Sequence, residues 1–286
     1  MSVVIATNLV SLRLQTQLKR TVSELGSTYE RLGSGLRINS AADDPAGLAL
    51  ADKLRNESKL LSVALRNAND GISYTASADA GLGEITSLLQ NMSELANQSA
   101  NSLYTTLQRS ALETEFVALG SEIVRVADST TFNGLNTING SSDQVIQVGF
   151  NASSTSQITI GSVTATLSDL GIGTGNALTY SLTGASVSDA VEASQSALVA
   201  LTSALDLVAL QRGIIGAAES RLRSAVNTIT VMRENRMAAE SQVRDLDIAE
   251  NVALLTKLQV LNQAQTALFA QANVDYRQAL KLLTSD

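Results

Sequence analysis

The sequence contains no cysteine, no histidine and no tryptophan, and only one proline among its 286 residues. Without cysteine the chain has no disulfide framework and no thiolate nucleophile. Without histidine it lacks the usual general base near neutral pH and the commonest metal ligand. No glycine-rich phosphate loop of the Walker type occurs either. We therefore predict a protein that is not an enzyme and that has no cofactor and no metal site.

Positive charge and long apolar runs are also scarce. The formal net charge is −7, and no lysine or arginine occurs between Arg125 and Arg212. Nucleic-acid binders derive much of their affinity from lysine and arginine at phosphates, so we expect no nucleic-acid partner. The chain has no apolar run of about 18 residues, and its N-terminus lacks the charged-then-apolar order of a secretory signal. We expect no membrane insertion and, if the protein leaves the cell, no cleaved signal peptide.

The apolar part of the sequence consists of aliphatic residues. Apolar residues make up 44% of the chain but aromatic residues only 3%, so the apolar mass is alanine, leucine, valine and isoleucine. This composition is typical of long helices packed side by side. It predicts a mainly α fold.

Both ends of the chain carry apolar positions at coiled-coil spacing. The N-terminal positions are Leu18, Val22, Leu25, Tyr29, Leu32 and Leu36. The C-terminal positions are Leu254, Leu258, Leu261, Leu268, Ala272, Ala279 and Leu282, interrupted only by Gln265 and Asp275. Two amphipathic helices need apolar partners, and the nearest candidates are each other and copies in neighbouring subunits. The pattern predicts a long antiparallel coiled-coil bundle formed by both chain ends, in a protein that assembles with itself.

Local signals predict where the first helices begin and end. A helix from about Thr7 to Leu36 should stop at Gly33-Ser34-Gly35, where two glycines permit a turn. Asp44 can cap a second helix whose first position is Pro45. Asn69-Asp70-Gly71 would ordinarily indicate a turn, but the flanking apolar positions keep their period. We predict that the second helix continues through it.

The middle of the chain has a different texture. From Asn139 to about Gly184 it is rich in serine, threonine and glycine, with alternating stretches at 145–148 and 157–160 that predict short strands in hairpins. Helical spacing resumes at Leu198. The charged segment between Met232 and Ala249 is predicted to link the inner bundle of helices to the terminal helix. A small β-hairpin-rich insert between helices completes the predicted fold.

Several stretches of the sequence resemble signature blocks of the bacterial flagellin family. They are residues 30–41 with 43–47 (ERLGSGLRINSA and DDPAG), 65–73 (LRNANDGIS), 98–101 (QSAN), 131–134 (TFNG) and 267–273 (ALFAQAN). The blocks occur in the family's order and together cover roughly residues 1–138 and 198–283. We therefore identify a resemblance to flagellins over both chain ends.

The resemblance implies a structural subunit that polymerises into the flagellar filament for swimming motility. Residues 1–42 and 245–286 would form an inner coiled-coil domain, 43–138 and 191–244 an outer helical domain, and 139–190 a β-rich surface insert. The implied location is outside the cell, reached through the flagellar export apparatus. The implied partners are other copies of the chain, a flagellar export chaperone, and the filament cap and hook-junction proteins. Filament packing is expected at Leu18, Val22, Leu25, Tyr29, Leu32, Leu36, Leu254, Leu258, Leu261, Leu268, Ala272 and Leu282.

Similar flagellins are also detected by Toll-like receptor 5. Leu95 and Glu115 match the contacts expected for that receptor, but Asn91 stands where the family has an arginine. Asparagine cannot reproduce the bidentate charged fork of arginine, so we expect weakened recognition. The alternative is that Leu95 belongs to the filament core and Glu115 is a solvated charge.

Two other functions are compatible with terminal coiled coils. A hook–filament junction protein resembles flagellin at both ends, although the blocks at 37–40 and 67–73 favour a filament flagellin. An intracellular coiled-coil chaperone or tether would form closed oligomers and would need no insert rich in glycine, serine and threonine. These two functions remain the alternatives at this point.

Overall fold

The computed structural model describes residues 8–140 and 142–283. The chain divides into two compact units, one formed by Met1–Ser58 with Asn235–Asp286 and the other by Lys59–Glu234. The division falls within two long helices, α2 (Pro45–Ser99) and α4 (Val187–Arg244). We call the first the terminal unit and the second the central unit.

In the terminal unit, α1 (Leu9–Ser34) packs antiparallel against α5 (Ile248–Leu283). Near one end of the pair the Ser11 hydroxyl donates to Asn273 Oδ1 at 3.0 Å, and near the other Gln259 Nε2 donates to the Tyr29 hydroxyl at 2.9 Å. Gly35 ends α1 in the left-handed conformation, with φ 70°, and its N–H donates to the Arg31 carbonyl. The prediction that the two chain ends form an antiparallel helix pair is confirmed. The first helix also ends within Gly33-Ser34-Gly35, as predicted.

The turn after α1 is held by two acidic side chains. Asp43 Oδ2 accepts from the backbone N–H of Ser40 at 3.0 Å and of Asn39 at 3.2 Å, and these bonds hold the pKa of Asp43 below its usual value of 3.8. Asp44 Oδ1 accepts from the backbone N–H of Gly47 at 2.9 Å. Helix α2 (Pro45–Ser99) therefore starts at the proline with a capping aspartate before it, as predicted.

Helix α2 runs without a break through Asn69-Asp70-Gly71, which confirms the prediction based on period. Gly71 is buried, and a Cβ atom at this position would lie 3.2 Å from Leu222 Cδ1 and 3.3 Å from Ile146 Cγ1. The glycine therefore marks a close approach of α2 to its neighbours rather than a turn.

Helix α4 (Val187–Arg244) corrects the prediction of a charged linker. The helix continues through most of the charged segment, and only Asp245–Asp247 separate it from α5. Within that segment three side chains pair with α2: Arg236 with Glu57 at 3.1 Å, Arg244 with Asp52 at 3.5 Å and Glu240 with Arg55 at 4.0 Å. These paired charges belong to a contact between α2 and α4. The number of charged residues in the sequence did not indicate that contact.

The central unit adds α3 (Thr106–Ser129) and three antiparallel strand pairs. The strands are β1 (Thr131–Phe132) with β2 (Leu135–Asn136), β3 (Gln144–Gln147) with β4 (Gln157–Ile160), and β5 (Gly173–Thr174) with β6 (Ala177–Leu178). A short 3₁₀ helix, Ser154–Ser156, precedes β4. The predicted hairpin of residues 145–148 and 157–160 is confirmed with a shift of one residue in the first strand.

One core joins the helices of the central unit to the segment between them. Large buried side chains come from α2 (Leu82, Ile85, Leu89, Met92), α3 (Phe116, Ile123), α4 (Leu201, Val208, Ile215, Leu222) and the intervening segment (Ile138, Ile160, Leu167, Leu170). Segment 139–190 therefore has one side packed against the helices in addition to its polar surface.

Helix α4 also contains an 18-residue window with a mean hydropathy of 1.6, apolar enough by length and composition to cross a membrane. A single such helix is weak grounds for a membrane span, because core helices pass the same test. The buried face of α4 contributes Leu201, Ala204 and Val208 to the core. Absence of membrane insertion stays a prediction.

Candidate assembly surface on the terminal helices

The face of α1 that packs against α5 differs from the predicted seam. Its buried residues are Thr21 and Thr28, which alternate with the half-buried Leu18, Leu25 and Leu32. The predicted seam shares these three leucines. Val22 and Tyr29 are about half exposed, although the Tyr29 hydroxyl accepts a hydrogen bond from Gln259 of α5 at the edge of the contact. Leu36 lies beyond α1, half-buried in the turn, where it pairs with Asp245 as an isolated antiparallel bridge.

On α5 the predicted seam also contains both buried and exposed positions, and the difference between them is larger. Leu258 and Gln265 are buried, and Gln265 is only 8% exposed. Leu254, Leu261 and Leu268, spaced seven residues apart, are exposed, and Leu268 reaches 56%. Ala272 is half-buried. The side chain of Leu282 lies outside the residues that the structure describes. The glutamine that interrupts the predicted seam therefore faces the partner helix.

Two sets of residues can now be distinguished. The inner seam consists of Leu18, Thr21, Leu25, Thr28 and Leu32 of α1 with Leu258 and Gln265 of α5. The outer stripe consists of Val22 and Tyr29 of α1 with Leu254, Leu261 and Leu268 of α5. The inner seam joins the two ends of one chain, whereas no described residue covers the outer stripe fully.

The inner seam is rich in polar side chains. Thr21 and Thr28 each donate a hydroxyl to a carbonyl of their own helix, Gln17 at 3.1 Å and Glu24 at 2.8 Å. Gln265 Oε1 is buried and accepts no hydrogen bond from the described residues. A buried polar group without a partner destabilises by about 1–3 kcal/mol. The contact between α1 and α5 is therefore weaker than an all-leucine seam, although polar residues help to fix its register.

The residues predicted to contact the innate receptor lie in the central unit. Asn91 is exposed on α2, and Leu95, one turn later on the same face, is half-buried and packs against the core. Glu115 is exposed on α3. Within residues 8–140 and 142–283, no group of three or more acidic side chains could hold a metal ion.

Sequence reasoning missed Arg109, which is fully buried at the start of α3. Its guanidinium donates to the carbonyl and the hydroxyl of Ser99 and to the carbonyl of Asn101 at 2.8 Å. These bonds close the turn between α2 and α3. The capping box of Thr105 and Gln108 marks the helix start in the sequence, but nothing there indicates that the next arginine is buried.

Two family models match the chain. Residues 5–143 match the bacterial flagellin N-terminal helical region, and residues 198–283 match the bacterial flagellin C-terminal helical region. The chain belongs to the bacterial flagellin family.

Flagellins of similar length align over nearly the whole chain. A flagellin of Halalkalibacterium halodurans is 36% identical over 96% of this chain and 98% of its own length. Flagellin FlaB1 of Treponema pallidum is 32% identical over the same shares, and the flagellar filament core protein flaB2 of Brachyspira hyodysenteriae is 33% identical over 98% and 99%. The crystal structure of Bacillus cereus flagellin covers 61% of this chain and 94% of that chain, with 25% identity and a TM-score of 0.47.

As a flagellin, the chain is a structural subunit of the flagellar filament, a component outside the cell, and its role is in motility. The family describes a structural protein rather than a catalytic one. The alternatives, a hook-junction protein and an intracellular chaperone, are not favoured, because the similar proteins are flagellins and filament core proteins.

Proposed function

We propose that copies of this flagellin polymerise by burying the outer stripe between the terminal helices of neighbouring copies. The observation that carries the proposal is the seven-residue spacing of the exposed Leu254, Leu261 and Leu268 beside the buried Leu258. A lone chain leaves this stripe in contact with water. Large exposed apolar surfaces of this kind indicate an interaction site.

Burial of the outer stripe accounts for the strength and the open-ended form of the assembly. Each leucine moved from water into an apolar contact contributes about 1.5–3 kcal/mol. The part of the stripe on α1, with Val22 and Tyr29, differs from the leucine part on α5. A contact between unlike faces generates an open helical filament when its rotation does not close.

In this proposal residues 1–42 and 245–286 form the inner coiled-coil domain. Residues 43–138 and 191–244 form the outer helical domain, and 139–190 form its insert. The antiparallel pairing of α1 and α5 and the two family matches support this division. The pair would then be supported from within by Leu18, Leu25, Leu32, Leu258 and Ala272, while the outer stripe makes the contacts between copies.

The test is Leu261→Asp, with Gln263→Asp as the matched control. Both substitutions place one carboxylate on α5, but Gln263 is an exposed polar residue outside the outer stripe. We expect Leu261→Asp to remain monomeric where the wild-type chain and the control form filaments, measured by sedimentation and electron microscopy. Filaments of Leu261→Asp at the wild-type critical concentration would contradict the proposal.

We also propose that the chain leaves the cell through the flagellar export apparatus without a cleaved signal peptide. An export chaperone, the filament cap and hook-junction proteins would be its partners. The exposed outer stripe supports this idea, because an unassembled chain needs its apolar surface covered until it reaches the filament. The mass of the chain recovered from sheared filaments should equal that of the unprocessed sequence, and a shorter N-terminus would refute the proposed route.

Finally, we propose weak recognition by Toll-like receptor 5 through Leu95 and Glu115. Asn91 is exposed on the same face as Leu95, so an arginine there could reach a receptor carboxylate. Monomer of the Asn91→Arg variant should activate receptor reporter cells more strongly than the wild-type chain. Equal potency of the two chains would show that Asn91 does not limit recognition.

A further inference from the structure

A cavity of about 400 Å³ lies in the central unit, between α3 and the β5–β6 hairpin. We call it the α3 cavity. It is lined on one side by Glu113, Val117, Gly120 and Ser121 of α3, and on the other by Leu167 and residues 176–181. Its volume falls within the range of about 300–1,000 Å³ that is usual for binding pockets. The cavity is therefore large enough for a small organic molecule.

The hairpin wall of the α3 cavity is held close to the helix. A Cβ atom added at Gly120 would lie 2.6 Å from Leu178 Cδ1, so glycine permits this close approach. The backbone N–H of Gly173 also donates to the Leu167 carbonyl at 2.9 Å, which ties the hairpin to the segment before it. The wall is therefore in place before a ligand binds, and this lowers the entropic cost of binding.

Among the described residues that line the α3 cavity, Glu113 alone is charged. Its side chain is half-buried, and its Oε2 accepts from the backbone N–H of Leu182 at 2.5 Å. The carbonyl of Leu182 in turn accepts from the buried Ser99 hydroxyl at 3.0 Å. These two bonds fix the segment that orients the Glu113 carboxylate.

The Glu113 carboxylate has no counter-ion in the part of the chain that the structure describes. None of the ion pairs there includes it. Arg109, one turn earlier on α3, donates instead to Ser99 and Asn101. The hairpin cannot supply a cation, because no lysine or arginine occurs in residues 126–211. A cleft whose only charge is negative attracts cations from solution.

The rest of the lining indicates which kind of cation fits. The half-buried Tyr180 lines the same cavity, and aromatic faces attract organic ammonium ions. Val117, Leu167 and Leu178 add apolar surface, which suits a carbon chain. A calcium or magnesium ion would need about six oxygen ligands, and the cavity offers one carboxylate. The lining therefore favours an organic ammonium ion over a metal ion.

We propose that the α3 cavity binds a small alkylammonium ion. The ammonium group donates to the Glu113 carboxylate and lies against the ring of Tyr180. The carbon chain packs against Val117, Leu167 and Leu178. The site is separate from the outer stripe, so the inference does not depend on the proposed mode of filament assembly.

Titration of the full-length monomer with the diamine cadaverine tests the inference. Pentanediol has the same carbon chain with uncharged ends and serves as the control ligand. We expect saturable binding of cadaverine in the millimolar range by calorimetry, and binding of pentanediol at least about tenfold weaker. Absence of saturable cadaverine binding, or equal affinity for the two molecules, would overturn the inference.

Glu113→Gln separates the charge of this residue from its structural bond. The amide oxygen of glutamine can still accept from the Leu182 N–H, so the wall of the cavity is kept. We expect the variant to bind cadaverine at least about tenfold more weakly than wild type. Glu115→Gln is the matched control, because it removes an exposed carboxylate of α3 outside the cavity lining. An equal loss in both variants would mean that cadaverine binds the acidic surface in general, and the proposed site would be refuted.

Val117→Lys gives a second, independent measure. Position 117 is one turn after Glu113 and is 45% exposed, so a lysine there can place its own ammonium group at the carboxylate. We expect this variant to lose saturable cadaverine binding while its unfolding transition in urea stays close to that of wild type. Wild-type affinity for cadaverine in this variant would overturn the inference.

Discussion

The central unit and the terminal pair bury different kinds of residues. In the central unit, α2, α3 and α4 share a core of leucine, isoleucine and phenylalanine. In the terminal pair, the best-buried positions include Thr21, Thr28 and Gln265, while Leu261 and Leu268 remain exposed. The difference supports the proposal that the terminal pair completes its apolar contacts with other copies, whereas the apolar core of the central unit is closed within one chain.

Substitution of a leucine by alanine should distinguish the central unit from the terminal pair most strongly, through its effect on monomer stability. Leu89→Ala in the central core should destabilise the monomer by about 2–5 kcal/mol, because it removes buried methyl groups and leaves a cavity. Leu268→Ala on the outer stripe should change monomer stability by less than about 0.5 kcal/mol. Urea unfolding of the two monomers measures both values. A comparable loss in Leu268→Ala would mean that the stripe is already buried within one chain.

Assembly should change the terminal pair far more than the central unit. Because the inner seam is partly polar, backbone amides of α1 and α5 should exchange rapidly in the monomer and slowly in the filament. Amides of α2 near Leu89 should be protected in both states. Hydrogen exchange followed by mass spectrometry measures this contrast. Equal protection of α1 and α5 in both states would contradict the idea that they gain stability on assembly.

Gln265→Leu should reduce the difference in stability between the terminal pair and the central unit. It replaces the buried side chain whose Oε1 accepts no hydrogen bond with an apolar one. We expect the terminal pair of the monomer to gain about 1–3 kcal/mol, seen as slower amide exchange in α5. Gln263→Leu adds the same side chain at an exposed site and serves as the control. No slowing beyond that control would show that Gln265 does not weaken the inner seam.

The smallest effect concerns the turn after α1. Hydrogen bonds from the backbone N–H groups of Ser40 and Asn39 hold the pKa of Asp43 below 3.8. The ionised carboxylate therefore stabilises the turn above pH 3.8, and this contribution disappears as the pH falls through the lowered pKa. Asp43→Asn should slightly speed amide exchange at Ser40 near pH 6. A difference from wild type that persists below the lowered pKa would contradict this account.

The sequence predicted best the features that depend on neighbouring residues. The end of α1 follows from the freedom of Gly35 to adopt φ 70°, and the start of α2 follows from the cap at Asp44 and the fixed φ of Pro45. The continuity of α2 through Gly71 follows from an unbroken apolar period. Each of these signals lies within a few residues of the structure that it determines.

The sequence predicted less well the features that depend on distant partners. Two registers, one through Val22 and Tyr29 and one through Thr21 and Thr28, have the same coiled-coil spacing on α1. The more apolar register was predicted to be the seam, but the position of α5 selects the other. The apolar side of segment 139–190 was missed for a similar reason, because its buried residues come from short stretches whose common core exists only after folding.

The site prediction combined both kinds of feature. It named the exposed leucines of α5 that we propose as the contact between copies, because their spacing is local. It did not separate them from Leu258, which is buried against α1. That separation requires the structure, since all four leucines have the same chemistry.

Thiol labelling of Leu261→Cys tests the central claim most directly. The variant places a single thiol on the outer stripe, and Gln263→Cys places one two residues away, outside that stripe. We predict that both thiols react rapidly in the monomer, and that filament formation slows the reaction at position 261 at least about tenfold while position 263 stays reactive. Rapid labelling of position 261 in intact filaments would show that the outer stripe is not the surface buried between copies.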